Sequence, residues 1–412
     1  MPAINLEQAL SIFNIGPLRG SDLGQYYVER AESPLELMAV HLRAQRRLKA
    51  LFTGHRIAGK TTALNRLAAD LADEFFVVHF SVQDTLNAYD VDYTDLMLAL
   101  ATRLLEQATD RRMFPRGLRT MVRQDLLQDV LLWLQSRIEG LQFVPPDSEK
   151  SLSAQVNFTA VQLEAKLSTE TVTRQALRER VSGRMSELLD RMNWVTSEVE
   201  RRSQRRALFI VEDIDKLDQA NACKLFLEHA RTLTAPEASI IYTFPVALRY
   251  SSDFAHIALN FGQHFVLPNV RLVDRDGNPN AQGRHTLERI FHSRLNPSLI
   301  DPEALGALIE ASGGLVGTLV RLGGLAAGYA LVDRKEVIDQ ASANDAVGEA
   351  RGDFKAMLTK ENYDVLRRQL AGERLTNEGP VRDALYNGSL LEYQDHDPWF
   401  GVHPIVRPLL EG

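Results

Sequence analysis

The sequence predicts an α/β fold built on a doubly wound parallel sheet, and three observations lead there. Apolar, β-branched or aromatic runs recur at 49–53, 75–82, 207–211 and 239–244. Runs of this kind read as strands covered on both faces, as in a parallel sheet. Segments of helical periodicity alternate with them, which is the order of a strand–helix–strand core. The composition is that of an ordinary globular chain: 412 residues, 45% hydrophobic and 25% charged, with no internal repeat and no low-complexity tract. At about 150 residues per domain, two or three domains are expected.

Composition also excludes classes of function. No run of about 18 apolar residues exists, so no membrane-spanning helix and no membrane partner are predicted. The opening MPAINLEQALSIF lacks a basic stretch followed by an apolar core, so no secretory leader is expected. A single cysteine, Cys223, leaves no internal disulfide and no thiolate metal cluster. The net charge of −7 (47 basic against 54 acidic residues) is the wrong sign for coating nucleic acid through bulk charge. A reducing, cytoplasmic setting is the expectation.

Residues 1–45 form an N-terminal segment broken at Gly16-Pro17 and Ser33-Pro34. Ser33 is predicted to cap a helix with Pro34 at its first position and Glu36 at its third, running on through Leu37, Val40, Leu42 and Leu48. After the strand at 49–53 comes a glycine-rich turn, then a helix marked by Ala63, Leu64, Leu67, Ala68 and Leu71. Amphipathic helices are predicted over 94–108 and 118–140, the second stopped by Pro145-Pro146-Asp147. Residues 154–167 alternate with period two and slip near Ala160-Val161, the pattern of a strand with a bulge or a short pair of strands. A long charged helix is predicted over 170–200, so 100–200 reads as a mostly helical insertion between core elements. Residues 267–278 suggest a short strand and hairpin, with Asp276-Gly277 as the turn. Near the end, helices at 359–370 and 377–387 precede a hairpin around 395–398, a helix–helix–wing outline.

The strongest chemical signal is GHRIAGKT, from Gly54 through His55, Arg56, Ile57, Ala58, Gly59 and Lys60 to Thr61. Its glycines let the backbone curl so that N–H groups converge on phosphate oxygens, and the helix that follows adds its positive end. In that setting Lys60 would bridge the β- and γ-phosphates and the Thr61 hydroxyl would ligate Mg²⁺, with Thr62 as a helix-start neighbour. Such a loop needs an acidic element at the end of a buried strand. The run 207–211 followed by Glu212, Asp213 and Asp215 supplies it. At the end of the next strand, Thr243 stands where a polar side chain could sense the γ-phosphate.

With these motifs in place, the chain resembles P-loop ATPases of the AAA+/STAND superfamily, nearest to archaeal origin-recognition-type ATPases and their bacterial relatives. The resemblance rests on GHRIAGKT, on FIVEDIDKL around Glu212 and Asp213, and on ASGGLVGTLVRL from Ala311 to Leu322. It covers roughly 25–335, with the 100–200 insertion outside it. It implies a P-loop core over 46–275, a helical lid over 276–350 and a winged-helix-like domain over 351–412. It implies ATP and Mg²⁺ as ligands, Thr61, Glu212 and Asp213 around the metal, and Asp213, Glu212 and Thr243 as catalytic residues. Glu212 falls at the family's magnesium-side position and Asp213 at its water-activating one, an inversion of the usual Asp–Glu order. Asp215 is the rival for either role. Gly317 stands where the family carries an arginine in the lid, and Arg321 is the nearest substitute. Slow hydrolysis and a switch-like role follow from these departures. Bacterial relatives often serve as regulatory ATPases of multi-gene systems, including anti-phage defence. A DNA-associated initiator or loader, and a nucleotide-binding scaffold without turnover, are the alternatives.

Other candidates carry less. Arg249 and Arg294 are possible fingers toward a neighbouring subunit. The cluster Arg201, Arg202, Arg205 and Arg206 reads as a solvated helix end, and His79, His229, His264, His396 and His403 lack metal-ligand spacing. The helix expected at 377–387 holds one arginine against Glu378 and Asp383, and 351–412 has 8 basic and 10 acidic residues, a net of −2. DNA is therefore possible but not favoured. Protein contact or self-association through the insertion and the C-terminal unit is expected instead.

Overall fold

The computed structural model describes residues 1–87, 89–114, 121–141, 149–168, 171–395 and 397–411. Its centre is a five-stranded sheet: β1 (Lys49–Gly54), β2 (Phe75–Ser81), β3 (Arg206–Glu212), β4 (Ser239–Pro245) and β5 (Gln263–Val266). The order is β2-β3-β4-β1-β5, and every neighbouring pair is parallel. All strand C-termini therefore meet along one edge, with β4 between the loop-bearing β1 and the acidic β3. Along each central strand, alternate residues enter opposite layers. Ala50, Phe52, Leu208, Ile210 and Ile241 pack on one face, and Leu51, Phe209, Val211, Ile240 and Tyr242 on the other. That double covering is why these strands are apolar throughout rather than alternating.

Helices α1 (Leu6–Phe13), α2 (Ser21–Tyr26) and α3 (Leu35–Ala44) precede the sheet, and α4 (Lys60–Asp70) follows β1. The layer beside β2 and β3 contains α5 (Val82–Thr85), α6 (Tyr93–Thr109), α7 (Gln124–Arg137), α8 (Glu149–Ser168), α9 (Thr171–Ser182) and α10 (Met185–Ser203). Short helices α11 (Gln219–Glu228), α12 (Ala230–Thr234), α13 (Val246–Arg249) and α14 (Phe254–Ala258) connect the later strands. A second helical layer comprises α15 (Ala281–His292), α16 (Pro302–Ser312), α17 (Val316–Val332) and α18 (Gln340–Met357). The N-terminal α1 joins it: Leu6, Ala9 and Phe13 share one core with Leu319, Leu322 and Ala326 of α17. Gly323 permits that approach, since a Cβ there would lie 2.8 Å from the Phe13 ring. Last come α19 (Lys360–Leu370), α20 (Gly379–Asn387) and the antiparallel pair β6 (Leu390–Gln394) and β7 (Pro398–Val402).

Several expectations need correction. Residues 154–167 lie inside the 20-residue helix α8, not in a bulged strand. The buried positions are Val156, Ala160, Leu163 and Leu167, a helical stripe. Phe158 and Val161, which produced the apparent alternation, face outward. The helix expected over 170–200 is two helices, α9 and α10, interrupted at Gly183-Arg184. Pro34, not Ser33, occupies the cap position of α3, which ends at Ala44, with Leu37 and Val40 exposed. Of the helix expected over 118–140, Gln124–Arg137 is helical and 121–123 and 138–140 are not, while 118–120 and Pro145-Pro146-Asp147 lie outside the described residues. No strand opens at 267. The edge strand is β5, just before it; the hairpin survives as a single antiparallel bridge, Val273 to Pro279, around a turn with Gly277 at φ +86° and its N–H donating to the Asp274 carbonyl.

Candidate functional site

β1 delivers the chain to the glycine-rich loop at the C-terminal edge of the sheet. Ile57 at φ +57° and Gly59 at φ +98° turn the backbone through the left-handed region, and Gly59 caps the eleven-residue α4. This curl ahead of a helix N-terminus is the geometry that gathers N–H groups around an anion. Lys60 is buried within it. Its Nζ donates to the carbonyls of Gly54 (2.9 Å) and His55 (2.8 Å) and pairs with Asp215 at 2.9 Å. Thr62 Oγ1 accepts from the Leu18 N–H (3.1 Å) and Asn65 donates to the Leu18 carbonyl (2.9 Å), which straps the N-terminal segment to α4.

The three carboxylates have separate partners. Asp215 is the one that faces Lys60. Burial pushes its carboxyl up, but the Lys60 ammonium and the neighbouring Thr243 hydroxyl outweigh that and hold it below the usual range. Thr243 Oγ1 makes no well-formed hydrogen bond of its own, so its influence on Asp215 is through proximity. Glu212 pairs with His79 of β2 through Oε1, while its buried Oε2 has no hydrogen-bond partner. Asp213 sits at φ +70°, a conformation aspartate tolerates better than most residues. Its Oδ2 accepts from Ser81 (2.5 Å) and its Oδ1 pairs with Lys216 (2.6 Å). Strand register explains the first contacts: Ser81 lies opposite Glu212, and His79 opposite Ile210.

Two cavities meet at the loop. One, of about 840 Å³, runs between the N-terminal segment and α17, and its walls include Phe13, Ile15, Val320 and Leu325. Lys60, Thr61, Asp213, Asp215 and Thr243 line its loop end. The other, of about 1170 Å³, opens between the ends of β2 and β3 and the helices α6 to α8. Thr61, His79, Glu212 and Asp213 share it with Arg103, Glu106 and Asp125. Thr61 and Glu212 thus line one polar space, a donor set that suits a hard cation keeping part of its water shell. Among the described residues, no cluster of three or more His, Cys, Asp or Glu side chains could hold a metal unaided.

The outer side of the loop is covered by the C-terminal unit. His55 Nε2 accepts from the Glu392 N–H at 2.7 Å, and Arg56 lies over the Tyr386 ring at 4.1 Å while donating to the Lys216 carbonyl. Ala58 packs in one cluster with Leu315, Leu391 and Tyr393. Burial holds the His55 imidazole down at about 3, with the Lys60 charge adding to it, and burial alone holds His403 at about 3. Each large apolar side chain buried here contributes about 1.5–3 kcal/mol, against about 0–1 for the half-exposed Arg271–Asp395 pair at 2.8 Å. Apolar burial dominates the docking.

The remaining sequence candidates fall as follows. Arg249 is ion-paired with Glu392 of the same chain. Arg294 is buried beside the loop in its own chain. Gly317 donates its N–H to the Ile57 carbonyl at 2.8 Å, and a Cβ there would sit 2.7 Å from that oxygen. No side chain fits there without moving the loop. Arg321 is exposed and paired with Asp353. Arg201 and Arg202 pair with Glu198. Arg206 lies over the Phe75 ring. His229 stacks on Tyr93, His264 packs against Phe244 and Phe254, and His396 lies outside the described residues. Sequence reasoning missed His79 and Ser81 as partners of the acidic pair; strand pairing of 75–81 with 206–212 is the only signal that could have found them.

No family model and no characterised relative matches the sequence. Solved structures of similar fold include the Aeropyrum pernix ORC1 protein in complex with DNA, at 14% identity over 94% of this chain and 93% of that one, with a TM-score of 0.42. The Walker-type ATPase paby2304 of Pyrococcus abyssi matches at 16% identity over 97% and 100%, with a TM-score of 0.44. Cdc6p from Pyrobaculum aerophilum matches at 11% identity over 97% and 96%, with a TM-score of 0.43.

Proposed function

We propose that this chain is an ATP-binding, slowly hydrolysing switch, in which the state of the glycine-rich loop sets how a winged-helix-like C-terminal unit engages a protein partner. The observation that carries this reading is the direct bonding of that unit to the loop through His55, Arg56 and Ala58. The triphosphate would take the loop, exchanging its oxygens for the carbonyls that now hold Lys60. The nucleoside would lie in the apolar cavity against Phe13, Ile15 and Val320. Thr61 and Glu212 would hold Mg²⁺, which neutralises charge on the phosphates when bound. Asp213 would orient the attacking water. Both of its oxygens are already engaged by Ser81 and Lys216, so water competes for them, and this supports slow turnover.

An initiator-like reading, in which α20 enters a DNA groove, is less well supported. α20 packs against the core, with Tyr386 donating to the Leu217 carbonyl (3.1 Å) and Asp383 accepting from Gln219 (3.0 Å). Calorimetric titration with Mg²⁺-ATP, followed by steady-state phosphate release, tests the proposal. Wild type should bind and turn over slowly, and Lys60→Ala should lose affinity by about 100-fold, the scale of removing charge-assisted contacts to phosphate. Equal affinity in the two proteins would refute the site. A steep fall of duplex DNA affinity with salt would favour the initiator reading.

A further inference from the structure

The guanidinium of Arg294 is a buried charge without a counter-charge. Arg174, the other arginine buried to that depth among the described residues, pairs with Asp90. Arg294 Nη1 instead donates to the carbonyl of Ile290 (2.8 Å) and to Ser293 Oγ (3.0 Å), and its head lies 5.7 Å from the centre of the Tyr26 ring. Among the described residues no carboxylate forms an ion pair with it. Burial lowers its pKa to about 10. Leaving a charge buried without a partner is costly, and proteins normally pair it or aim it at a ligand.

Its position says which ligand. Arg294 lines the apolar cavity together with Lys60, Thr61 and Thr62. It also lines a side chamber of about 60 Å³, where Tyr26, Arg30, Gly59 and Thr62 meet and no carboxylate contributes to the wall. Arg30 adds a second guanidinium there, donating to the Pro268 carbonyl at 3.4 Å; burial lowers it to about 10 against the opposing pull of Tyr27 and Glu32. The other arginines lining the larger cavity are committed elsewhere, Arg56 to Tyr386 and Arg321 to Asp353. Gly317 admits no side chain beside the loop. Among the described residues, Arg294 is the one arginine of that cavity that is buried, and its partners are uncharged.

We infer that Arg294 binds a phosphate group of the nucleotide in cis, from the end of α15, with Arg30 reinforcing the positive potential behind it. The inference rests on the nucleotide reading above and adds a ligand to it. Arg294 joins the helical layer of α15 to α18 to the N-terminal segment, its backbone carbonyl accepting from the Ala3 N–H at 2.8 Å. A phosphate drawn onto its head would therefore fix that layer against the loop, a task that no side chain at Gly317 can perform.

The test compares wild type, Arg294→Lys, Arg294→Met and Lys60→Ala. Each is titrated with Mg²⁺-ATP, Mg²⁺-ADP, adenosine and inorganic phosphate, and melted with and without each. Arg294→Met should lose about 10- to 100-fold in affinity for ATP and ADP, the range of a charge-assisted hydrogen bond, with adenosine unaffected. Arg294→Lys should recover part of the loss. If the Met variant melts earlier but both variants bind ATP as tightly as wild type, Arg294 is structural and the inference fails while the nucleotide site stands. If wild type binds no nucleotide, the functional reading fails first. Stabilisation by inorganic phosphate that depends on Arg294 and persists at saturating ATP would identify a free anion instead and overturn the inference.

Discussion

The two cavities that meet at the glycine-rich loop share Thr61 and Asp213 and little else. On the α17 side the walls are Phe13, Ile15, Val320 and Leu325; on the α6–α8 side they are Arg103, Glu106, Asp125 and the His79–Glu212 pair. An apolar slot holds a flat base by excluding water, whereas a polar one keeps water available for a metal and for attack. The loop stands at the boundary of the two environments. The difference implies that substitutions on either side should separate affinity from turnover.

The largest separation is expected on the polar side. Asp213→Asn should leave ATP affinity intact and lower phosphate release by on the order of 100-fold, the scale of a group that orients or deprotonates the nucleophile. Glu212→Gln should weaken binding in the presence of Mg²⁺ and leave Mg²⁺-free binding alone. Asp215→Asn should act differently from both. It strands Lys60 without its buried counter-charge, and a loss of about 3–5 kcal/mol in denaturant unfolding is expected. If Asp215→Asn alone abolishes turnover and Asp213→Asn hydrolyses normally, the roles of the two aspartates are exchanged.

On the apolar side, Gly317→Ala should drive a methyl group into the Ile57 carbonyl, 2.7 Å away. Overpacking of this kind costs about 1–3 kcal/mol. The penalty should appear as weaker nucleotide affinity, with turnover per bound ATP unchanged; a wild-type affinity would show that α17 moves freely of the loop.

Much of this was legible in the sequence. The four long apolar runs became β1 to β4, and GHRIAGKT sits between a strand and a helix as its chemistry requires. The edge strand β5 was not legible, because QHFV is short and carries no alternation. α8 was misread because two interleaved apolar sets, one buried and one exposed, imitate period two. The Lys60–Asp215 pair and the hold of His79 and Ser81 on the acidic residues depend on which strands lie side by side, which no local pattern encodes. The covering of the loop by β6 joins residues more than 330 positions apart.

That covering has a pH signature. His55 and His403 are both held neutral by burial, at about 3, while an unfolded histidine titrates near 6.5. Below pH 6.5 the unfolded chain binds protons that the folded one refuses. Stability should therefore be full above that value and fall toward pH 3, by about 1.4 kcal/mol per unit for each histidine. Denaturant melts of wild type and His403→Gln between pH 4 and 7 check this, since the variant should show the shallower fall. The smallest effect is expected at Arg321→Ala, where an exposed pair with Asp353 is removed; a change under about 1 kcal/mol should be seen in unfolding and none in ATP affinity.

Amide hydrogen exchange over 379–402, with and without saturating Mg²⁺-ATP, tests the coupling itself. Phosphate should draw Lys60 away from the His55 carbonyl and loosen the contact that this loop residue makes with Glu392. Exchange in α20 and β6 should then accelerate when ATP binds, and in the Lys60→Ala protein it should not respond. Unchanged exchange across 379–402 in a wild-type protein saturated with ATP would mean that the C-terminal unit does not read the loop.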